Sequence, residues 1–410
     1  MMLDNDYKIH ADAAIDKVYK TNKRRILRSM EIYKNLYSLP VIEKEYTVSK
    51  DILDYCKKRD LFIIIAVYNE LGQIFCLRNF EGDAIKWALP GGSIRSNLDE
   101  TIEDAVFRVI NAILKVEVCN LRPVSYNLNR FIYEHDSKIV IQHRGLSFMA
   151  QACSKIPEEV IGKFLEKEEE IQNVTRWASR DVYKGAKEFL LNYSSIPPDK
   201  EISTARKYKK RYDFHRKFVS RLFKKFSSAK VNKKITELID PECKIILDTA
   251  CGDDKLIFDI APRADLCVGN DISWETVSYL IKNNTAPNIV FTNHNITELP
   301  FAEKYFDVAI CKNTLHHLRN AGELEMLFDS LKKVAKKIIL VDIEDPKNSM
   351  ISSKIWNYYY KKFLGDLGGA FFNKKQFEDV VKWYFHENEK SFDYVQTIKG
   401  KYMFAGIKLQ

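Results

Sequence analysis

Between Lys244 and Ile343 short apolar runs alternate with stretches of helical spacing: KIILDTA, DLCVGND, NIVFTNH, FDVAICK and KKIILVDI, each followed by enough chain for a turn or a helix. Strands this uniformly apolar must be covered on both faces, and strands joined through helices run parallel. The second half is therefore predicted to be a doubly wound α/β sheet. Its last two runs, SFDYVQTI and KYMFAGIKL around Lys399-Gly400, have the form of a hairpin, which makes one edge of that sheet antiparallel.

The first half has a different grammar. LFIIIAVY (61–68) and QIFCLRN (73–79) are strand-like and joined by the turn-forming NELG. Two long strand patterns follow, VCNLRPVSYNLNRFIYE and KIVIQHRGLSFMAQA, with His135-Asp136-Ser137 as the turn, and a helix closes the half within TRWASRDVYKGAKEFLL. Strands gathered together with few helices point to an α+β domain. The chain is thus expected to hold two domains: a helical, charged extension over 1–59, a first domain over 60–192, a linker with a basic helix over 193–235, and a second domain over 236–410. NYSSIPPDKE, with Pro197-Pro198, is the linker.

Charge and cysteine usage exclude several classes. The net charge of +9 is concentrated between Lys200 and Lys234, where fourteen Lys and Arg face only Glu201 and Asp213. Tyr208, Tyr212, His215, Val219, Leu222, Phe223 and Phe226 recur there at helical spacing. An amphipathic helix packing its apolar stripe explains this pattern, and stacking aromatics on the basic face are absent, so nucleic acid is not an expected partner. The eight cysteines contain no CxxC pair. They read as reduced thiols of a cytoplasmic protein, with neither a disulfide framework nor a zinc site. No apolar run reaches the ~20 residues needed to span a bilayer, and the polar N-terminus has no signal-peptide core, so no membrane is expected.

In ILDTACGDDKL (246–256) an acid ends a strand and small residues occupy the turn to a helix. GNDIS (269–273) then places Asp271 at the end of the next strand, where a carboxylate can accept from both hydroxyls of a ribose. A dinucleotide fingerprint would require glycines at 250, 252 and 255, and the chain has Ala250, Gly252 and Lys255. Lys255 is too large for the close helix contact that a pyrophosphate site needs. A nucleoside without phosphates asks less.

These motifs, with HNITELPF (294–301) and FDVAICKNTLHHL (306–318), resemble those of class I S-adenosylmethionine-dependent methyltransferases acting on small molecules, over about 200–410. The resemblance implies a Rossmann-like methyltransferase sheet and S-adenosyl-L-methionine as cofactor, with no metal. It places Asp248, Ala250 and Gly252 at the methionine end, Asp271 at the ribose, Ile272, Asn295 and Ile296 at the adenine, and Lys312 at the end of the fourth strand. Asn295 stands where the family commonly has an acid, and Ala250 and Asp254 where glycines are common. Since the sulfonium methyl is already electrophilic, the protein's work is positioning the acceptor and removing its proton. His316, His317 and Asp345 are the candidates for that base, with Glu344 beside the last. Trp356, Tyr359 and Tyr360, within KIWNYYYKKFLGDLGGAFF, are candidates to line the acceptor site.

The first half resembles the Nudix family over about 60–192, on WALPGGSI, the Glu100-to-Arg108 spacing and TRWASRDVY. The resemblance implies an α/β/α sandwich with a metal-binding helix. The helix here lacks the metal ligands: Val109, Ala112 and Ile113 take the positions of the family's acids, and Lys115 that of its closing glycine. Loss of three carboxylates removes both ligands and the negative charge a divalent cation needs. Glu100, Asp104 and Arg108, at i, i+4 and i+8, are expected to form an ion-pair ladder. Arg78, Arg130 and Arg144 are candidates to meet a phosphate. Such a domain could recognise the acceptor, perform assembly as a homodimer, or hold a partner. The expectation is thus a methyltransferase for a small-molecule acceptor, nucleotide-linked or phosphorylated. A bifunctional hydrolase–methyltransferase, an RNA methyltransferase and a non-catalytic binding protein remain the alternatives.

Overall fold

The computed structural model describes residues 21–57, 59–81, 84–95, 98, 100–165, 177–192, 231–252, 255–318, 320–344, 371–385, 392–398 and 402–409. The chain divides into two compact units, Met1–Ile196 and Pro197–Gln410. Of the linker and basic helix expected over 193–235, residues 193–230 lie outside the described residues.

The N-terminal unit is built on an eight-stranded mixed sheet. Its strands are β1 (Val41–Val48), β2 (Leu61–Tyr68), β3 (Ile74–Glu81), β4 (Ala84–Ala88), β5 (Gly91–Ser93), β6 (Val118–Tyr133), β7 (Asp136–Ala152) and β8 (Gly162–Leu165). They run in the order β1-β6-β7-β2-β3-β4, with β5 paired to β2 and β8 to β3. Every residue of β2 is buried, which follows from its unbroken apolar sequence and its place in mid-sheet. On one face Phe62, Ile64, Ala66 and Tyr68 pack with Val182, Tyr183 and Ala186 of the helix Trp177–Asn192. The helix Ile102–Phe107 contacts β2 as well. The Pro90-Gly91-Gly92 turn lies directly against β2: a Cβ on Gly91 would fall 2.4 Å from the Ile63 carbonyl oxygen, so only glycine fits there.

Three expectations change. Residues 41–48 are a strand, not helix, pairing parallel with β6 from Val41↔Tyr126 to Val48↔Tyr133. Their alternating exposure is that of an edge strand with one face to water. Second, Cys119 and Cys153 form a disulfide where reduced thiols were expected, because β6 and β7 bring residues 34 apart in sequence side by side. Third, the helix carrying Arg108 does not continue as a regular α-helix: Arg108–Leu114 is a π-helical segment that ends on Lys115 at φ 52°.

The C-terminal unit is a seven-stranded sheet of β9 (Ile245–Asp248), β10 (Leu266–Asn270), β11 (Ile289–Thr292), β12 (Phe306–Lys312), β13 (Ala335–Ile343), β14 (Phe392–Ile398) and β15 (Tyr402–Lys408). The order is β11-β10-β9-β12-β13-β15-β14. β9 to β13 are parallel, and β15 runs antiparallel to both β13 and β14, giving the terminal hairpin at one edge. The helix Ala321–Val334 buries Leu324, Leu327, Phe328, Leu331 and Val334, the one-sided stripe its sequence spacing requires. Among the described residues no helix is long and apolar enough to cross a membrane.

Candidate active site

Strand order in the C-terminal sheet reverses at β9, since β10 lies on one side and β12 on the other. The loops leaving the carboxyl ends of β9 and β12 diverge there and open the crevice in which such sheets bind ligands. Asp248 ends β9 and is 3% exposed. Ala250 and Gly252 follow in the turn, and Gly252 has φ +52° with open space where a Cβ would stand. Asp271 directly follows β10, and its Oδ2 accepts from the Gly252 amide at 3.0 Å while Oδ1 accepts from the Ser273 amide at 2.8 Å. An ionised carboxylate offers about four acceptor positions, so these two bonds orient Asp271 and are compatible with a diol at the rest. Ile272 beside it is 37% exposed, high for an isoleucine next to a crevice.

After β11, Asn295 caps a short turn: its side chain accepts from the Thr297 amide at 3.1 Å, with Ile296 as the first residue of that turn. Lys312 ends β12, and its Nζ donates to Asn232 Oδ1 at 2.6 Å, on the helix over 231–238. The two candidate histidines part company. His316 is 1% exposed and His317 is exposed, their rings 4.2 Å apart. Asp342 of β13 holds His316 twice, Oδ2 accepting from its backbone amide at 3.0 Å and Oδ1 from Nδ1 at 2.5 Å. Phe371 stacks on the His316 ring, centroids 5.1 Å apart. Asp254, Asp345, Trp356, Tyr359 and Tyr360 lie outside the described residues.

Three residues at this end of the sheet were not singled out from sequence. Asn270, fully buried, makes four bonds: Nδ2 donates to the carbonyls of Thr249 and His294, and Oδ1 accepts from Thr292 Oγ1 and the His294 amide. It thereby ties together the ends of β9, β10 and β11. Asn293 donates through Nδ2 to the carbonyls of Asp271 and Ile272, fixing the loop that carries the ribose candidate. Asn313, after β12, sits at φ 53°, a conformation that asparagine tolerates and that recurs at functional sites. The Oδ1 atoms of Asn293 and Asn313 are buried without a hydrogen-bond partner. A buried acceptor without a donor is costly, and the hydroxyls, exocyclic amine and ammonium of S-adenosylmethionine are donors, so the polar groups present fit that cofactor. Only the turn-forming character of asparagine at strand ends could have signalled these residues.

In the N-terminal unit the expected ladder is only partly formed. Arg108 grips Glu100 through Nε and Nη2 at 2.6 and 3.1 Å and also donates to the Ser93 carbonyl. Asp104 is not a rung; it closes a capping box with Thr101, because it falls at the third position of the helix. Glu103 accepts from Tyr33 Oη at 2.8 Å, and burial pushes its carboxyl above the usual range. Of the phosphate candidates, Arg130 is ion-paired with Glu45 and Arg144 donates to Gln142 at 2.7 Å. Among the described residues no three His, Cys, Asp or Glu side chains gather closely enough to hold a metal ion.

Residues 246–338 match the family model described as a methyltransferase domain. No curated protein sequence matches the chain significantly. Among solved structures, a protein of Pyrococcus horikoshii is 15% identical, with 48% of this chain and 99% of that one covered and a TM-score of 0.37. A possible histamine N-methyltransferase of Thermotoga maritima is 11% identical over 49% and 99%, TM-score 0.38. The plantazolicin methyltransferase BpumL, solved with a monoazolic desmethylPZN analog and SAH, is 18% identical over 50% and 90%, TM-score 0.38. The family match falls on the segment from β9 into β13, so the likeness to a methyltransferase domain lies in the C-terminal unit.

Proposed function

We propose that the protein methylates a small-molecule acceptor, with the cofactor held along the carboxyl ends of β9, β10 and β11. The observation that carries this reading is the pairing of Asp271 with Gly252, which sets a carboxylate against the first turn at the switch point. Asp248, Ala250 and Gly252 would border the methionine end, Asp271 the ribose, and Ile272, Asn295 and Ile296 the adenine. Bound S-adenosylmethionine supplies an electrophilic methyl group. The chain's own residues orient the acceptor and take its proton, with His316 the base we favour: it is held by Asp342 near the carboxyl ends of β12 and β13. His317, exposed beside it, is the weaker candidate.

We further propose that the N-terminal unit is a Nudix-like scaffold that recognises a nucleotide-linked or phosphorylated acceptor and does not hydrolyse it. Its remaining helix acids are already committed: Glu100 to Arg108, Asp104 to Thr101 and Glu103 to Tyr33. Burial raises the Glu103 carboxyl above its usual range, which weakens it further as a ligand for a hard cation.

One experiment tests both statements. The protein is incubated with S-adenosylmethionine, Mg²⁺ and a pool of nucleotides, nucleotide sugars and small metabolites, and masses are compared with a control lacking protein. A product heavier by one methylene, with diphosphates intact, is expected. Cleaved diphosphates would overturn the recognition role. An unchanged pool together with no binding of S-adenosylhomocysteine would overturn the methyltransferase assignment.

A further inference from the structure

Two of the buried side-chain atoms that lack a hydrogen-bond partner, Asn129 Nδ2 and His143 Nδ1, belong to residues directly opposite each other on β6 and β7. Alternate residues of a strand share a face, and on this face β7 reads Ile141, His143, Gly145, Ser147 and Met149. Ile141 packs with Leu53 and Cys56 of the helix Lys50–Lys57, and Met149 with Val182 and Tyr183 of the helix Trp177–Asn192. Between these two positions the sheet is polar where a core would be apolar: Ser125, Asn127, Asn129 and Ser147 are each 5% exposed or less. Asn127 Nδ2 donates to Ser147 Oγ at 2.8 Å. The roles of the two unpartnered atoms are fixed by their chemistry. His143 Nε2 donates to the Arg59 carbonyl at 2.6 Å, and burial lowers the ring's pKa to about 4, so at neutral pH Nδ1 carries a lone pair. Asn129 Nδ2 is a donor. Aromatic rings wall the pair: Phe62 stacks on His143 with centroids 4.4 Å apart, and Phe131 meets it edge-on at 5.4 Å. The row continues onto the edge strand β1, where Lys44 neighbours Asn129 and is half-buried, so it reaches solvent there.

We infer that Asn129 and His143 form a binding site for a planar nitrogen heterocycle that carries a hydrogen-bond donor beside an acceptor, the edge that nucleobases present. The ligand's N–H donates to His143 Nδ1, and its neighbouring ring nitrogen or carbonyl accepts from Asn129 Nδ2. Each match satisfies a group whose burial without a partner is costly. Simple ions do not fit: a carboxylate or phosphate brings no donor to His143, and an ammonium brings no acceptor to Asn129. A flat ring also suits the walls, since Phe62 already lies within 14° of parallel to the His143 ring. The site is separate from the helix that carries Glu103. Tyr33, which bonds Glu103, packs against Phe148, and Phe148 alternates with Ser147 and so lies on the opposite face of the sheet. The inference goes beyond both proposed activities and depends on neither.

The test uses the full chain with ¹⁵N-labelled histidine, titrated separately with adenosine, cytidine, guanosine and uridine. The His143→Gln variant identifies the His143 signals. Without nucleoside, Nδ1 is expected to resonate as a bare ring nitrogen. At least one nucleoside is expected to bind with a dissociation constant of about 1 mM or tighter and to move Nδ1 toward the hydrogen-bonded position. The analogue of that nucleoside methylated at its donor nitrogen should bind at least about tenfold more weakly to the wild type, and the nucleoside itself should lose as much on Asn129→Leu. Leucine removes an unpartnered donor at nearly constant volume, so the variant should keep the thermal midpoint of the wild type within a few degrees. Should it not fold, the methylated analogue still decides on the wild type. Nδ1 already hydrogen-bonded in the free protein and unmoved by all four nucleosides would assign the pair to an interior water and overturn the site. Absence of binding at about 10 mM overturns it as well. So does binding that leaves Nδ1 unmoved, that the methylated analogue matches, or that a folded Asn129→Leu protein retains in full.

Discussion

Asp271 and Gly252, nineteen residues apart, are joined by a 3.0 Å bond from the glycine amide to the carboxylate Oδ2. This bond couples the first turn of the C-terminal sheet to the end of its second strand, and the proposed ribose contact depends on it. Replacing Asp271 by alanine removes both functions. S-adenosylhomocysteine affinity, measured by calorimetry, is expected to drop more than tenfold, a loss of at least about 1.4 kcal/mol. Asp271→Asn, which can still accept from Gly252, should lose less. Wild-type affinity in a folded Asp271→Ala protein would remove the ribose role.

Gly252 is held at φ +52°, and a side chain there would touch nothing within 4 Å. Its replacement by alanine therefore tests backbone strain without a steric clash. The expected cost is about 1–2 kcal/mol of stability, read from urea unfolding of the C-terminal unit. A cost near zero would mean that the turn relaxes out of the left-handed region.

Asn270 makes four hydrogen bonds with no exposure to water. Alanine at this position strands two carbonyls, an amide and a hydroxyl in the interior, at about 1–3 kcal/mol for each group left unsatisfied. We expect Asn270→Ala to destabilise the unit by more than about 3 kcal/mol. Asn270→Asp, which loses the two donated bonds and sets a buried carboxylate against the Thr249 and His294 carbonyls, should also be destabilised at neutral pH in the same unfolding assay.

The Glu100–Arg108 pair is bidentate, with side-chain exposures of 9% and 19%. Arg108→Lys keeps the charge and loses the planar fork, and with it the bond to the Ser93 carbonyl. A loss of about 1.5–3 kcal/mol is expected from hydrogen bonds to charged groups. Thermal unfolding of the two proteins compares them directly; equal midpoints would show the fork to be dispensable.

His143 gives the N-terminal unit an acid sensitivity. Burial beneath Phe62, whose ring lies 4.4 Å away, lowers its pKa from 6.5 to about 4, opposed by the bond to the Arg59 carbonyl. Above pH 6.5 the group is neutral in both states and the stability is fully present. As pH falls from 6.5 to about 4 the unfolded chain takes up a proton that the folded one refuses, so stability declines by up to about 3 kcal/mol. Below that range the contribution is constant. His143→Gln should flatten the difference between urea midpoints at about pH 7.5 and pH 4.5; a slope as steep as wild type would assign the acid sensitivity to other groups.

Much of the C-terminal unit is legible in the order of its amino acids. The runs that form β9 to β13 are apolar at nearly every position, a pattern compatible only with buried parallel strands. Once those strands are placed, Asp248 and Asp271 fall at strand ends by counting alone. The terminal hairpin is equally plain, and so is the Glu100-to-Arg108 pairing, because both are set by spacing along one local segment.

What sequence left open involves partners supplied by other elements. VIEKEYTV carries three consecutive charges, Glu43-Lys44-Glu45, and became a strand because β6 offered it a free edge. Asp104 was expected as a ladder rung, and the helix start at Ile102 instead made it part of a capping box with Thr101. The disulfide needed β6 and β7 to bring Cys119 and Cys153 within reach. His316 was visible as one of the candidate bases, with His317, Glu344 and Asp345, but its contact with the carboxylate of Asp342 comes from the neighbouring strand and could not be read from its own segment. Periodicity and spacing are properties of a single segment and fix which elements form and which face they bury. Hydrogen-bond and ion-pair partners belong to pairs of segments, and only the order of strands in the folded sheet determines who meets whom.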